Sequence, residues 1–277
     1  MGATPWSSSP KAPEAGSRAE AVRRLTWIPR AGSTNELARR AAAAGAGAGC
    51  AFAAGAQDRG RGRRGRSWCS PPGHGLYLSV LVPRPEPAAW LPLVAGLAAA
   101  EAVETAAGRA GADPPLVRLK WPNDLYCRGR KIGGILCEAA DRDLWVVGIG
   151  INCTTPEAIF PPEVRGRAAS IASATGRAVP PGRLFRPLSR ALGAWLHRLD
   201  REGPGTARAE IRRRDALAGR AVEAADWGAP DRSADRSAPL RGRAAGIDET
   251  GALVLVTGSG DRIHLVSGTL HPLEPLP

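Results

Sequence analysis

Residues 59–75, RGRGRRGRSWCSPPGHG, restrict the possible fold more than any other part of the chain. Gly60 to Gly65 fits G-x-G-x-x-G, the dinucleotide-binding pattern. With Arg66 and Ser67 the same glycines nearly fit the phosphate-binding G-x-x-x-x-G-K-[ST] pattern, with Arg in place of Lys. Both patterns require a helix to open directly after the loop, because its N-terminus holds the phosphate. Pro71, Pro72, Gly73 and Gly75 forbid that helix. An RNA-binding tract rich in arginine would not sit between two strands. What remains is a strand–loop–strand element with a cationic, glycine-rich loop. Its backbone can wrap a small anion, and its guanidinium groups can bind oxygens in pairs. Left empty, such a loop repels itself, so it is predicted to be mobile without ligand and ordered with it.

The surrounding chain is predicted to alternate helices and strands. Ser33-Thr34-Asn35-Glu36 reads as a capping box ahead of a helix. Residues 51–57 and 76–82 read as strands flanking the loop, the second by alternation of Leu76, Leu78, Val80 and Val82. Residues 87–108 read as a buried helix, 116–121, 132–138 and 144–151 as strands, and 184–199 and 206–217 as helices. This predicts one α/β domain with a mixed sheet over residues 21–218. Beyond it, residues 221–225, 240–247, 252–257 and 262–266 are short strand candidates, and Asp248-Glu249-Thr250-Gly251 suits a hairpin turn. Residues 219–277 are therefore expected to form a small β-barrel module, interrupted by a polar loop at the tandem Asp231-Arg-Ser-Ala, Asp235-Arg-Ser-Ala. Residues 1–20, rich in Ser, Pro and Ala, are expected to be a disordered tail.

At 277 residues the chain can hold one large domain or two unequal ones. The net charge of +12 is carried mostly by Arg; it points to anionic partners or to a compositional habit, and decides nothing alone. Five cysteines without C-x-x-C or a His cluster argue for reduced thiols and against a zinc site. The N-terminus has no apolar core, and Trp6 stands where a myristoylation signal needs Ser or Thr. The uncharged run at residues 41–57 is too weakly apolar to span a bilayer. A cytoplasmic protein with no membrane partner is expected.

Two further segments carry chemistry. Lys120-Trp-Pro-Asn-Asp124 ends a strand and is followed by Lys131-Ile-Gly-Gly-Ile-Leu136, spacing that places the two on adjacent strands. Lys131 opens an apolar run. It is either an edge lysine whose stem packs while its head reaches water, or a cation beside the gap left by Gly133 and Gly134, placed to meet a carboxylate or phosphate. Gly148-Ile-Gly-Ile-Asn152 is a strand with two glycines ending in an amide: a tight packing spot, or room beside the same pocket.

Together these segments resemble the biotin protein ligases (biotin–acetyl-CoA-carboxylase ligases). The matching pieces are Ser33-Thr34-Asn35, residues 57–68, Leu76-Tyr-Leu-Ser79, Lys120-Trp-Pro-Asn-Asp-Leu-Tyr126, Lys131-Ile-Gly-Gly-Ile-Leu136 and Gly148-Ile-Gly-Ile-Asn152, in the family's order. The C-terminal region around Gly246 resembles the family's SH3-like barrel more weakly. The resemblance implies an α/β (α+β) fold: a mixed-sheet catalytic domain of the biotin/lipoate ligase type with a small C-terminal SH3-like β-barrel. It implies a two-step ligase using ATP and Mg2+. Biotin's carboxylate attacks the α-phosphate to give biotinyl-5′-AMP, and a lysine of a biotin carboxyl carrier domain takes the acyl group. It places Ser33, Thr34, Asn35, Gln57, Gly133 and Gly134 on the biotin side. Arg61, Gly62 and Arg63 would wrap the carboxylate and phosphate. Lys131 would bridge carboxylate and α-phosphate, with Arg63 and Asp124 beside it in catalysis. Arg66, Trp68, Asn123 and Asn152 would meet the nucleotide. It assigns no protein metal ligands. About 30 residues precede Ser33, too few for the winged helix of the DNA-binding members, so no DNA partner is expected. A lipoate-type ligase is the nearest alternative and a basic nucleic-acid-binding module the next. The latter would need aromatic platforms, yet Phe numbers 3 and Tyr 2.

Overall fold

The structure is a computed structural model describing residues 20–109, 111, 116–229 and 239–277. The N-terminal tail through residue 19 and the Asp-Arg-Ser-Ala repeat lie outside these residues. A seven-stranded mixed sheet forms the larger part. Its strands are β1 (Arg24–Ile28), β2 (Cys50–Ala54), β3 (Gly75–Pro83), β4 (Arg118–Lys120), β5 (Asp124–Cys127), β6 (Arg130–Ala139) and β7 (Leu144–Asn152), in the order β1-β2-β3-β7-β6-β5-β4. Only β1 and β2 run parallel; the other neighbours are antiparallel.

The long loop between β2 and β3 is the predicted strand–loop–strand element. In β3 Tyr77 and Ser79 are buried along with Leu76, Leu78 and Val80. The reason is that both faces are covered. Helices α2 (Leu91–Ala106) and α4 (Pro181–Glu202) lie on one, and α1 (Thr34–Ala43) on the other. Residues 88–106, the turn before α2 together with α2, are long and apolar enough by length and composition to cross a bilayer, but here they are core, with Leu91, Val94, Leu97 and Val103 almost fully enclosed. Each such side chain contributes about 1.5–3 kcal/mol over leaving it in water.

The capping box expected at Ser33 does not form. Ser33 is the N-cap by backbone geometry, but its side chain makes no cap hydrogen bond. The Thr34 N–H instead donates to Gln57 Oε1 at 2.8 Å, so the neighbouring loop satisfies that helix amide. A reciprocal cap occurs at Ser170 and Ser173, opening the short helix α3 (Ile171–Thr175), which the sequence patterns did not single out. Helix α5 (Gly205–Arg214) closes this part, its Arg214 paired with Glu104 at 2.7 Å in the interior.

The C-terminal residues form a five-stranded antiparallel sheet of β8 (Ala221–Gly228), β9 (Leu240–Ile247), β10 (Leu253–Val256), β11 (Arg262–Leu265) and β12 (Ser267–Pro272), in the order β11-β10-β9-β8-β12. β12 was not expected; it pairs antiparallel with β8. The predicted hairpin turn joins β9 to β10. Asp248 Oδ1 accepts from the Thr250 and Ala252 amides, and Gly251 has φ +86. That turn docks on the larger part, where Trp90 and Trp121 donate their indole N–H to Glu249 O at 2.9 Å and Gly251 O at 3.0 Å. One apolar core runs through both sheets.

Candidate active site

The site lies on the sheet face that carries α1 and the arginine loop. On it Gly134 of β6 is directly opposite Gly150 of β7, and Leu136 is opposite Gly148. These glycines leave a trough. A Cβ on Gly150 would come within 2.7 Å of the Trp68 indole, and one on Gly134 within 3.4 Å of it, so the indole lies in the trough against both backbones. A Cβ on Gly148 would fall 2.0 Å from Asn35 Oδ1. The Trp68 indole N–H is buried with no hydrogen-bond partner among the described residues.

Lys131 reaches this face because of a β-bulge. Gly133 is paired with Leu125 and Lys131 with Tyr126, so Ile132 is extra and the alternation slips by one. Ile132 is fully buried, while the Lys131 ammonium turns to the trough, 2.5 Å from Asp124 Oδ1 and 5.5 Å from the Trp68 ring centroid. Its backbone is pinned by the segment after β7: Lys131 N–H donates to Arg167 O, and Ala169 N–H donates to Lys131 O, both at 2.9 Å. Asn152, buried at the end of β7, donates to Ala169 O at 3.1 Å and so braces that segment. Lys120 faces Asp124 across the β4–β5 hairpin. Burial holds its ammonium below the usual lysine range; Asp124 opposes the shift, and Lys131 reinforces it.

The loop forms the roof. Arg61 bridges to Ser67, Gly62 N–H donates to Arg66 O at 2.7 Å, and residues 63–65 make one tight turn with Arg64 at φ 57. Gly60 is demanded by space, since a Cβ there would lie 2.3 Å from Trp68 O. The arginines take separate partners. Arg61 pairs with Glu138 at 2.9 Å, and Arg63 donates to Asn123 Oδ1 at 3.1 Å. Arg64 reaches the second sheet, to Asp226 Oδ2 at 2.8 Å and Thr269 Oγ1 at 2.9 Å, and Arg66 donates to Thr269 Oγ1 at 3.3 Å. Burial, with Arg64 and Arg66 nearby, lowers the Arg63 guanidinium from its ordinary value, against the pull of Asp124.

A chain of hydrogen bonds forms the inner wall. Gln57 Nε2 donates to Ser70 Oγ at 2.9 Å, and Gln57 Oε1 accepts from Thr34 N–H and, at 3.1 Å, from Thr34 Oγ1. Ser79 Oγ lies 2.7 Å from Thr34 Oγ1 and 2.6 Å from Asn35 Oδ1. Asn35 Nδ2 donates to Glu138 Oε2 at 2.7 Å. A small cleft between α2 and the β4–β5 hairpin is lined by Lys120, Asn123, Asp124 and Asp215 among others.

The sequence of this chain matches the profile of the biotin/lipoate A/B protein ligase family over residues 28–152 and that of the biotin protein ligase C-terminal domain over residues 234–269. It is 34% identical over 255 residues to the biotin–[acetyl-CoA-carboxylase] ligase of Mycobacterium tuberculosis, covering 88% of this chain and 90% of that protein. The chain belongs to the biotin protein ligase family. Among solved structures, it is similar to the biotin protein ligase of Aquifex aeolicus in complex with biotin and ATP (TM-score 0.75, 28% identity, 90% of this chain and 98% of that one). It is also similar to the Leishmania major biotin protein ligase in complex with biotinyl-5-AMP (TM-score 0.59, 26% identity, 87% and 98%).

In this biotin protein ligase family member the six segments carrying the resemblance lie around one trough. Lys131 meets Asp124 and Trp68, Gly134 lies against all three, and Arg63 is bonded to Asn123, the neighbour of Asp124. Thr34 and Gln57 belong to the wall, Ser33 is buried at the N-cap position before them, and Gly133 turns to the opposite side, where a Cβ would strike Leu125. Arg66 and Asn152 are directed to Thr269 and Ala169. Asn35 has its amide committed to Ser79, Glu138 and the Leu136 carbonyl, which makes it a brace of the wall. The sequence reading gave Glu138, Ser79 and Ser70 no role in the site, although Ser79 ends one of the matching pieces. Their only signal is position: Ser79 and Glu138 fall on the trough side of β3 and β6 once the register is known.

Proposed function

We infer that this chain is an ATP-dependent biotin–protein ligase that activates biotin as biotinyl-5′-AMP and passes the biotinyl group to a lysine of a biotin carboxyl carrier domain. The observation that carries this reading is the Lys131 ammonium, set on a glycine trough beneath an arginine loop and beside Trp68. Two anions must meet in the first step, and a cluster of fixed cations offsets their repulsion. A carboxylate oxygen of biotin forms a bond to the α-phosphorus as the bond to the pyrophosphate oxygen breaks. Lys131, held by Asp124, stabilises charge on the carboxylate and phosphoryl oxygens. Arg63, aimed by Asn123, closes over the same junction. Trp68 and the Gly134–Gly150 pair exclude water from the mixed anhydride. In the second step the neutral amine of the carrier lysine attacks the acyl carbon, AMP leaves, and the amine gives up a proton.

Among the described residues no three His, Cys, Asp or Glu side chains gather to hold a metal. That donor set suits magnesium carried chiefly by triphosphate oxygens and water, with Asp124 the protein oxygen at hand. When bound, the ion would neutralise phosphate charge.

The test is incubation with biotin, labelled ATP and a carrier domain. Biotin-dependent ATP–pyrophosphate exchange and transfer of label to the carrier are expected. Exchange that requires lipoate and ignores biotin would replace this reading with the lipoate-type one. Tight, salt-sensitive RNA binding without adenylation would remove both.

A further inference from the structure

Glu138 stands on the trough face of β6, in line with Gly134 and Leu136. A carboxylate beside a pocket for two anionic substrates works against their binding through like-charge repulsion. Its presence there is explained by what its two oxygens hold. Oε1 forms an ion pair with Arg61 Nη2 at 2.9 Å, and Oε2 accepts from Asn35 Nδ2 at 2.7 Å. Asn35 is itself immobile, its Oδ1 2.6 Å from Ser79 Oγ and fitted over Gly148. Arg61 is the first arm of the arginine loop and pairs with Ser67 across it. Glu138 is therefore where the loop is fastened to the trough wall. The contact uses one guanidinium nitrogen, leaving the other Arg61 donors for an incoming anion. It also cancels the carboxylate's own charge.

We propose that Glu138 is a positioning residue of the ligase reaction, anchoring Arg61 to Asn35 so that the loop closes over biotin and retains the adenylate. The proposal rests on the ligase reading above. Gln replaces it only in part: an amide offers an oxygen to one neighbour and an NH2 to the other, where both neighbours are donors.

The experiment measures biotin KM and kcat separately in ATP–pyrophosphate exchange, and the release rate of labelled biotinyl-AMP, for wild type, Glu138→Ala, Glu138→Gln, Arg61→Ala and the double variant Glu138→Ala/Arg61→Ala. Loss of one charge-assisted contact predicts a rise in biotin KM and in adenylate release of about tenfold for Glu138→Ala, with kcat within about twofold. Glu138→Gln should fall between it and wild type. The double variant should match the worse single variant, since both remove one contact. A merely structural glutamate would lower the active fraction, and hence kcat, without moving KM. An unchanged biotin KM in Glu138→Ala, or additive effects in the double variant, would overturn the proposal while leaving the ligase reading intact. Should Glu138→Ala fail to fold, Arg61→Ala and Glu138→Gln decide it by the same KM criterion. Wild-type protein without biotin-dependent exchange would overturn both.

Discussion

Lys131 and Asp124 face each other at 2.5 Å across a bulged strand pair, with the indole of Trp68 over the ammonium. The side chains are only 31% and 19% exposed, so the pair lies in the trough wall and not in bulk water. Lys131→Ala is expected to lower adenylate formation by at least about a hundredfold, the scale of losing a charge aimed at the reacting oxygens. Its effect on unfolding free energy should stay near about 1 kcal/mol, because the remaining Asp124 is partly hydrated. Exchange kinetics beside a denaturant melt check both; wild-type exchange in the variant would refute the role.

Gly148 is spoken for by Asn35. Gly148→Ala places a methyl where the Asn35 amide oxygen now sits, at 2.0 Å. An overpacking cost of about 1–3 kcal/mol is expected, together with a higher biotin KM as the Ser79–Asn35–Glu138 chain shifts. A thermal melt and steady-state kinetics measure these, and an unperturbed melt would show that the wall yields.

Arg63 closes the loop by its bond to Asn123 at 3.1 Å. Arg63→Gly should let biotinyl-AMP escape and label bystander lysines, read by mass spectrometry of an added protein. Unchanged acceptor selectivity would count against caging.

The loop's self-repulsion is divided among Glu138, Asn123 and Asp226. Asp226→Ala removes the ion pair from the contacts that hold Arg64, leaving Thr269 and the backbone carbonyl of residue 226, and trypsin should then cut at residues 59–66 faster. Biotin with ATP should slow cleavage in wild type and variant alike. Equal rates in all conditions would mean that the loop is fixed without ligand.

Asp215 is buried, and that burial pushes its carboxyl up to about 6, against the pull of the Leu217 amide and Arg118. An acid whose folded value exceeds its unfolded value, near 4, binds its proton more tightly in the native state. Stability therefore falls as pH rises from about 4 to about 6, by about 3 kcal/mol, and then levels. Asp215→Asn, which can still accept from Leu217, should flatten this slope. Melts at pH 4 and pH 7 would show it; parallel pH profiles would rule the group out.

Much of this protein is decided locally. Two prolines and two glycines after the arginines exclude a helix whatever surrounds them, so the strand–loop–strand element was legible from the sequence. Apolar periodicity likewise located α2, α4 and α5 and most strands. Glycines at 134, 148 and 150 marked a gap, because a strand gives up packing there only where something comes close. What occupies each gap depended on strand register, which joins residues far apart in the chain: Trp68 against Gly134 and Gly150, Asn35 over Gly148, Glu138 between Asn35 and Arg61. The bulge at Ile132 is the clearest case. Simple alternation would put Lys131 on the side opposite Gly134, and only pairing with β5 turns its ammonium into the trough. The cap at Thr34 and the hold on Arg64 were equally out of reach of local patterns, since their partners, Gln57 and Asp226, come from other elements. Side-chain type and spacing determined which chemistry this chain carries; long-range pairing determined where those groups meet, because a one-residue slip moves a side chain to the other face of a sheet.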